Sequence, residues 1–264
     1  LIKKKDRNIF ITENKKNYLH ILAERLKADI IHHNDYIGGR YSVLSEVGML
    51  PAILMGLKVK NFRISLLKYF TKQRKKLLIE NVVKISQIFK SKKFSSIILL
   101  NYDPKLSNTL YWLQQLMAES LGKKNLGLLP IVSNAPKDHH SLLQLYIDGP
   151  KDKFFYIINS SKSKKLNRSK NFFGSKFKFL ENKSLSKIVS SQEKAILQVF
   201  KNKNIPFRKI EIKKISEDVI GEFFSYFMIE TILIGRLMNL NPFNQPSVEE
   251  VKILTKNFLN SLNW

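Results

Sequence analysis

Five short polar groups along the chain carry side chains that could take part in acid, base or electrostatic chemistry. They are Gly38-Gly39-Arg40, Glu119, His139-His140, Gln245 and Lys252. A carboxylate can abstract a proton, an arginine can stabilise developing negative charge, and a histidine or lysine can donate a proton. Each group alone also has an ordinary structural explanation as a loop residue or a surface ion pair. Glu249 and Lys252, for example, are three residues apart, which suits a solvated pair on a helix.

Glu119 ends the most clearly patterned stretch of the sequence, an apolar run over residues 111–123. Four apolar residues in this run have helical spacing, and this spacing predicts one buried stripe: Tyr111, Leu113, Leu116 and Met117. Gly122 predicts the end of this helix. A carboxylate at the end of a buried helix is held more rigidly than one in a loop, and apolar surroundings make a carboxylate a stronger base. The alternative for this stretch alone is a solvated glutamate at a helix end.

Composition and charge narrow the function classes. The chain has 264 residues, 44% of them hydrophobic, and no cysteine, so it is globular in composition and has no disulfides or thiolate metal sites. The formal net charge of +25 would suit a basic nucleic-acid-binding protein. However, only eight of the 46 basic residues are Arg, and the basic residues are spread along the whole chain. A general bias in the amino-acid composition of the whole sequence therefore explains the charge better than a nucleic-acid-binding surface does. Nucleic-acid binding remains an alternative.

The sequence predicts a cytoplasmic protein that does not cross a membrane. A reducing compartment fits the absence of cysteine. No apolar run reaches spanning length, because the best candidate, residues 226–238, contains Glu230 and Arg236. The first residues, Leu-Ile-Lys-Lys-Lys, do not form a signal peptide, and a start other than Met indicates a longer polypeptide.

Strand-like and helix-like runs alternate, which is typical of an α/β fold with parallel sheets flanked by helices. Predicted strands are residues 8–12, 29–33, 94–102, 126–132, 153–158 and 207–212. Predicted helices are 15–27 with Tyr18 in its buried stripe, 45–55, 58–91, 107–119, 185–200, 219–240 and a last helix capped by Ser247-Val-Glu-Glu250. The residues predicted to be buried by the last helix are Val248, Val251, Leu254, Phe258 and Leu262. The polar run 159–170 predicts a mobile surface loop.

No standard motif for a metal or a nucleotide is present. The sequence contains no zinc-ligand spacing, no phosphate-binding P-loop, no G-x-G-x-x-G and no G-x-S-x-G. Gly38-Gly39-Arg40 instead follows the second predicted strand, and ligands of open parallel sheets bind at that end of a strand.

Four motifs, in order, carry a family resemblance. They are Gly38-Gly-Arg-Tyr-Ser42, Gln114-Gln-Leu-Met-Ala-Glu-Ser-Leu-Gly-Lys123, His140-Ser-Leu-Leu-Gln144 and Asn241-Pro-Phe-Asn-Gln-Pro-Ser-Val-Glu-Glu-Val-Lys252. In identity, order and approximate spacing they resemble the glucose-6-phosphate isomerase (phosphoglucose isomerase) family in a bacterial form. Two positions depart from the family pattern, because Leu121 stands where many members have Asn and Ser247 replaces a common Gly. Neither is a proposed catalytic group.

The resemblance implies two sugar-isomerase domains of flavodoxin-like fold, the first one incomplete. The implied division is the C-terminal part of the first domain at 1–58, a helical connection at 59–92, the second domain at 93–215, and C-terminal helices at 216–264 that pack back toward the first domain. The family binds the phosphate of its substrate with a Ser/Thr-rich loop and a glycine-rich turn, both of which precede the Gly-Gly-Arg motif. The 37 residues before Gly38 offer neither, so we expect the N-terminal part of the enzyme to be absent from this chain.

The resemblance also implies an aldose–ketose isomerase that interconverts glucose 6-phosphate and fructose 6-phosphate through an enediolate, in glycolysis and gluconeogenesis. Matched residue by residue, Glu119 is the base that moves a proton between carbons one and two. Arg40 stabilises the enediolate. His140 and Lys252 serve ring opening.

Partners and competing functions follow from the same resemblance. It implies that Gly39 and Gln245 bind the sugar phosphate, that no metal or other cofactor is needed, and that neither nucleic acid nor membrane is a partner. It implies a homodimer in which His140 is donated across the interface. A non-catalytic sugar-phosphate-binding remnant of the family is the alternative, and the retained Glu119, His140 and Lys252 favour catalysis over it.

Overall fold

Two parallel sheets, formed by different parts of the chain, organise the computed structural model, which describes residues 8–160 and 175–261. The first sheet pairs β1 (Ile9–Glu13) with β2 (Asp29–His33), and helix α1 (Tyr18–Leu26) connects them. The register aligns Ile9 with Asp29 and Glu13 with His33, so both strands end at the same edge. The predicted parallel strand–helix–strand unit is confirmed.

The second sheet has four parallel strands in the spatial order β4-β3-β5-β6. Their bounds are β3 (Ser96–Asn101), β4 (Leu129–Asn134), β5 (Lys153–Ser160) and β6 (Phe207–Ile212). Every residue of β3 is buried, as expected for an apolar central strand that is covered on both faces. The run that begins at residue 126 becomes a strand only at Leu129, because Gly127 has a φ of 118° and turns the chain first.

Helices surround the sheets. Their bounds are α2 (Glu46–Leu54), α3 (Val59–Ile64), α4 (Lys72–Lys90), α5 (Ser107–Leu121), α6 (Lys137–Ser141), α7 (Leu143–Asp148), α8 (Leu185–Asn202), α9 (Glu217–Leu237) and α10 (Pro246–Ser261). Short 3-10 helices lie at Gly39–Leu44, Ser65–Phe70, Pro104–Leu106 and Ser175–Leu180. The single helix predicted over 58–91 is thus divided, because the backbone at Thr71 is extended. No described helix is long and apolar enough to cross a bilayer.

The core lies on both faces of the second sheet. Alternate residues of β3 point to opposite faces, so Ile97 and Leu99 pack in one cluster while Ile98 and Leu100 pack in another. α9 lies in the first cluster and packs against α3, α4 and α5. This packing fixes the carboxyl end of α5, where Glu119 lies, relative to the segment that follows α9.

Three predictions of buried faces are wrong. Tyr18 and Tyr111 are 75% and 52% exposed, and in α5 the buried stripe passes through Leu110 instead. No described residue of α10 is buried: Val248, Val251, Leu254 and Phe258 are 44%, 64%, 47% and 66% exposed, and Leu262 lies outside the described residues. Its apolar stripe exists, but the described part of the chain does not cover it.

Two local predictions also change. The last helix begins at Pro246, which suits the first helical position, so Ser247 lies inside the first turn and does not precede the helix as its cap. Of the predicted loop 159–170, Asn159 and Ser160 belong to β5, and residues 161–170 lie outside the described part of the chain.

Candidate active site

Arg40 is the centre of a polar cluster built from three distant parts of the sequence. It lies in the 3-10 helix Gly39–Leu44 and is only 2% exposed. Its Nε donates a hydrogen bond to Ser120 Oγ at 2.9 Å, and its Nη1 donates to Glu119 Oε2 at 3.0 Å. Nη1 also donates to Gln245 Oε1. The structure therefore brings together Arg40, Glu119 and Gln245, which the sequence analysis selected separately.

The remaining guanidinium donors hold the segment after α9. Nη2 of Arg40 donates to the carbonyl oxygens of Pro242 at 2.8 Å and Asn244 at 3.2 Å. The Tyr41 hydroxyl lies 2.9 Å from Ser120 Oγ and donates to the Pro242 carbonyl at 3.1 Å. All five N–H donors of Arg40 thus have partners, which satisfies a buried guanidinium and fixes its plane.

Glu119 is held at both carboxylate oxygens and still reaches solvent. Oε2 faces Arg40, and Oε1 accepts a hydrogen bond from Gln115 Nε2 at 2.9 Å. The side chain of Glu119 is 28% exposed, whereas that of Arg40 is 1% exposed. A buried cation and an accessible carboxylate therefore face the same point, which suits proton abstraction beside developing negative charge.

The glycine pair leaves open space next to this cluster. A Cβ added at Gly39 would meet no heavy atom within 4 Å, and one added at Gly38 would lie 3.9 Å from the Phe243 carbonyl oxygen. The backbone carbonyl of Arg40 accepts a hydrogen bond from Trp112 Nε1 at 2.9 Å, which ties this segment to α5. The backbone at Gly39, next to Arg40, is therefore open to solvent.

Lys123 is a neighbour to which the sequence analysis assigned no role. Its Nζ donates to the Ser120 carbonyl at 3.1 Å and to the Asn241 carbonyl, so it joins the end of α5 to the Gln245 segment. Burial, assisted by the positive charge of Arg40 and opposed by Glu119, lowers the pKa of Lys123 to about 8. Ser120, Tyr41 and Lys123 were all inside the family motifs, and that position was the only signal for them.

The structure does not place His140 or Lys252 against this cluster. His140 is exposed on α6, whereas its neighbour His139 lies 2.6 Å from the Tyr102 hydroxyl, and burial lowers the pKa of His139. Lys252 lies on α10, where Nζ is 2.7 Å from Glu249 Oε1 and the side chain is 64% exposed. The solvated pair expected from the spacing is present.

The described residues offer no evident place for a metal ion. Across 8–160 and 175–261, no three His, Cys, Asp or Glu side chains are grouped as they would be around one.

Comparisons with known proteins give one consistent family. The model of the phosphoglucose isomerase family matches residues 23–264. A glucose-6-phosphate isomerase of Mycoplasmopsis synoviae (strain 53) is 31% identical over 253 residues, covering 91% of this chain and 58% of the relative. The glucose-6-phosphate isomerase of Methanocaldococcus jannaschii is 30% identical over 260 residues, covering 94% of this chain and 62% of the relative. The chain thus spans less than two thirds of the length of either relative.

Solved structures share the fold. A hypothetical protein from Thermus thermophilus matches with a TM-score of 0.85 and 24% identity, over 95% of this chain and 62% of that one. A glucose-6-phosphate isomerase from Chlamydia trachomatis matches with a TM-score of 0.77 and 15% identity, over 97% of this chain and 53% of that one. With the family model matching nearly all of its residues, the chain belongs to the phosphoglucose isomerase family.

Proposed function

We propose that this chain carries the greater part of the active site of a cytoplasmic glucose-6-phosphate isomerase, which interconverts glucose 6-phosphate and fructose 6-phosphate in glycolysis and gluconeogenesis. The observation that supports this most is the buried guanidinium of Arg40, fixed by five hydrogen bonds and facing the accessible carboxylate of Glu119. Aldose–ketose exchange needs this combination, because a proton moves between neighbouring carbons while an oxygen becomes negative.

Glu119 acts on the open-chain sugar. Its carboxylate takes the proton from carbon two of the aldose, the released electron pair forms a double bond between carbons one and two, and the carbonyl oxygen becomes an enediolate oxygen. Glu119 then returns the proton to carbon one, while the hydroxyl proton on carbon two passes to the enediolate oxygen on carbon one, which leaves a ketone at carbon two and a hydroxyl at carbon one. No proton is gained or lost overall.

Arg40 stabilises the enediolate. All five donors of Arg40 have acceptors within the chain, so a substrate oxygen must replace one of them. Gln245 is the partner to be replaced, because its side chain is neutral and shares Nη1 with Glu119. The freed Gln245 amide then binds a sugar hydroxyl, and the open space beside Gly39 admits the sugar.

Ring opening is assigned to His140 and Lys252, which match the family motifs. Both side chains are exposed, and neither is bonded to the Arg40 cluster in the described chain, so their action on a substrate needs a second surface. We assign that surface to a homodimer in which His140 enters the site of the neighbouring subunit.

The two sheets correspond to two sugar-isomerase domains. Residues 1–58 supply the C-terminal part of the first, 59–92 connect, 93–215 form the second, and 216–264 are C-terminal helices. The Ser/Thr-rich loop and the glycine-rich turn that bind the phosphate in the family are not among these 264 residues. Because binding of a remote phosphate helps to position the reacting carbons, its loss lowers turnover as well as affinity.

The test is the turnover of fructose 6-phosphate by three samples: these 264 residues alone, the same chain with an added N-terminal fragment, and the complete native polypeptide. We expect little activity from the first and restoration in the others. Full activity of the chain alone would show that it holds the phosphate itself. An inactive complete polypeptide that still binds fructose 6-phosphate in a calorimetric titration would favour the non-catalytic alternative.

A further inference from the structure

His33 makes two hydrogen bonds that a neutral imidazole cannot both donate. It ends β2, and its side chain is 12% exposed. Nδ1 is hydrogen-bonded to Glu46 Oε1, and Nε2 lies 2.8 Å from the Ile37 carbonyl oxygen. A carboxylate and a carbonyl are both acceptors, whereas a neutral imidazole carries one N–H only. The geometry therefore fits the imidazolium form of His33.

These two partners lie at the two ends of the segment that carries Arg40. Ile37 precedes Gly38-Gly39-Arg40, and Glu46 is the first residue of α2. The 3-10 helix Gly39–Leu44 lies between them. One side chain thus ties the end of β2 to the beginning and to the end of this segment.

We propose that the His33 imidazolium is a positioning residue that clamps both ends of the 38–45 segment and thereby fixes the Arg40 guanidinium for catalysis. The proposal rests on the proposed isomerase function. His33 touches none of the reacting groups, so it acts through the backbone on either side of Arg40. Neither Glu46 nor His33 belongs to the four family motifs.

The charges around His33 favour its protonated form. Glu46 faces it from α2 and Glu13 from β1, where Glu13 is also 3.4 Å from Lys15 Nζ. From α1, Tyr18 lines the same recess. Burial opposes charging of the ring, but the hydrogen bonds to Glu46 and Ile37 and the two carboxylate charges outweigh it, so the pKa of His33 is raised above 6.5.

The same pair sets a pH window. Because the pKa of His33 is raised, its contribution is complete below 6.5 and is lost as the pH rises through the folded value. The hydrogen bond from His33 lowers the pKa of Glu46, so its contribution is complete above 4.5 and is lost as the pH falls through its folded value. The clamp is therefore strongest between these two pH values, and it loosens as the pH rises through the folded pKa of His33 or falls through that of Glu46.

Two substitutions separate the two hydrogen bonds. In His33→Gln the amide nitrogen can occupy the place of Nε2 and keep the bond to Ile37, whereas in His33→Asn it can occupy the place of Nδ1 and keep only the bond to Glu46. Because the clamp needs both bonds, we expect kcat for fructose 6-phosphate in the complete native polypeptide to fall about tenfold in each variant, with KM little changed. Near-normal kcat in either folded variant would overturn the proposal, because one end of the segment would then not need the clamp.

Glu46→Gln is the matched pH control. Its amide can donate to Nδ1 of a neutral His33, which leaves Nε2–H for the Ile37 carbonyl and so keeps the clamp without charge. We expect near-normal kcat at pH 7 and the loss of the alkaline decline that His33 causes in the wild type. An unchanged alkaline decline would overturn the assignment to His33.

Histidine ring NMR tests the clamp without any turnover. We expect the His33 signal of the wild type to titrate with a midpoint above 6.5 and that midpoint to fall in Glu46→Gln. A wild-type midpoint at or below 6.5 would overturn the charged clamp. An inactive wild type would defeat the proposed function instead, and the NMR midpoint would still decide whether His33 is charged.

Discussion

Replacing Glu119 by Gln removes the proposed base and leaves the hydrogen bonds around it nearly intact. The new amide oxygen can accept the bond that Arg40 Nη1 now donates to Oε2 at 3.0 Å. The new NH2 group faces Gln115, whose Nε2 now donates to Oε1 at 2.9 Å and whose amide can rotate to present its oxygen instead. Arg40 therefore keeps all five of its partners in Glu119→Gln.

The expected magnitudes differ sharply between folding and catalysis. The substitution takes the anion from Arg40, whose side chain is 1% exposed, but keeps its hydrogen bonds and removes a carboxylate that is itself 28% exposed, so we expect a stability loss of about 1 to 2 kcal/mol. An essential general base contributes roughly 10²- to 10⁴-fold to a rate, which is about 3 to 5 kcal/mol of activation free energy. We therefore expect Glu119→Gln to be folded and nearly inactive, with substrate binding largely retained.

The assay compares kcat and KM for fructose 6-phosphate in the complete native polypeptide, with thermal unfolding measured on the same samples. Gln115→Ala is the matched control, because it removes a hydrogen bond to Oε1 and keeps the carboxylate. We expect less than about a tenfold loss of kcat in that control. Near-normal turnover of folded Glu119→Gln, or an equally large loss in Gln115→Ala, would refute the assignment of Glu119 as the base.

Three further predictions concern other charged groups. Glu230→Leu should lower the free energy of unfolding by about 3 to 5 kcal/mol, because Arg208, which is 18% exposed and 2.9 Å from the carboxylate, would lose its anion; chemical denaturation checks this, and a loss below about 1 kcal/mol would contradict it. Lys252→Ala should slow the cyclic substrate far more than an open-chain analogue, and equal losses for the two would argue against ring opening. Mixing folded, inactive Glu119→Gln and His140→Ala subunits should restore some turnover in heterodimers, and no recovery after confirmed subunit exchange would count against donation of His140 across the interface.

The order and type of most elements could be predicted from the sequence. Strands β2 and β6 have the predicted bounds, and β1, β3 and β5 lie within a few residues of theirs. Local periodicity is sufficient here, because an apolar run of about four to six residues bounded by polar turns has few other ways to be buried. The family was also predicted from the sequence, since four ordered motifs span most of the chain.

The tertiary structure decides which face of a helix is buried. Tyr111 was predicted to join the buried stripe of α5, but Leu110 faces the core and Tyr111 faces solvent. Adjacent residues point about 100° apart around a helix, and because both of these are apolar, only the surface that packs against the helix decides which of them is buried. On α10 the apolar stripe is real, but burial needs a partner surface, which the described chain does not supply.

The candidate site shows the same division. Arg40, Glu119 and Gln245 were selected from the sequence as residue types suited to the chemistry. Glu119 is 79 positions and Gln245 is 205 positions from Arg40, and no local pattern indicates that Arg40 forms hydrogen bonds with both. The other three partners of Arg40, which are the Ser120 hydroxyl and the carbonyls of Pro242 and Asn244, were not predicted at all. Such contacts arise only when helix packing brings distant segments together, because hydrogen bonds depend on distances of a few ångströms that no local pattern encodes.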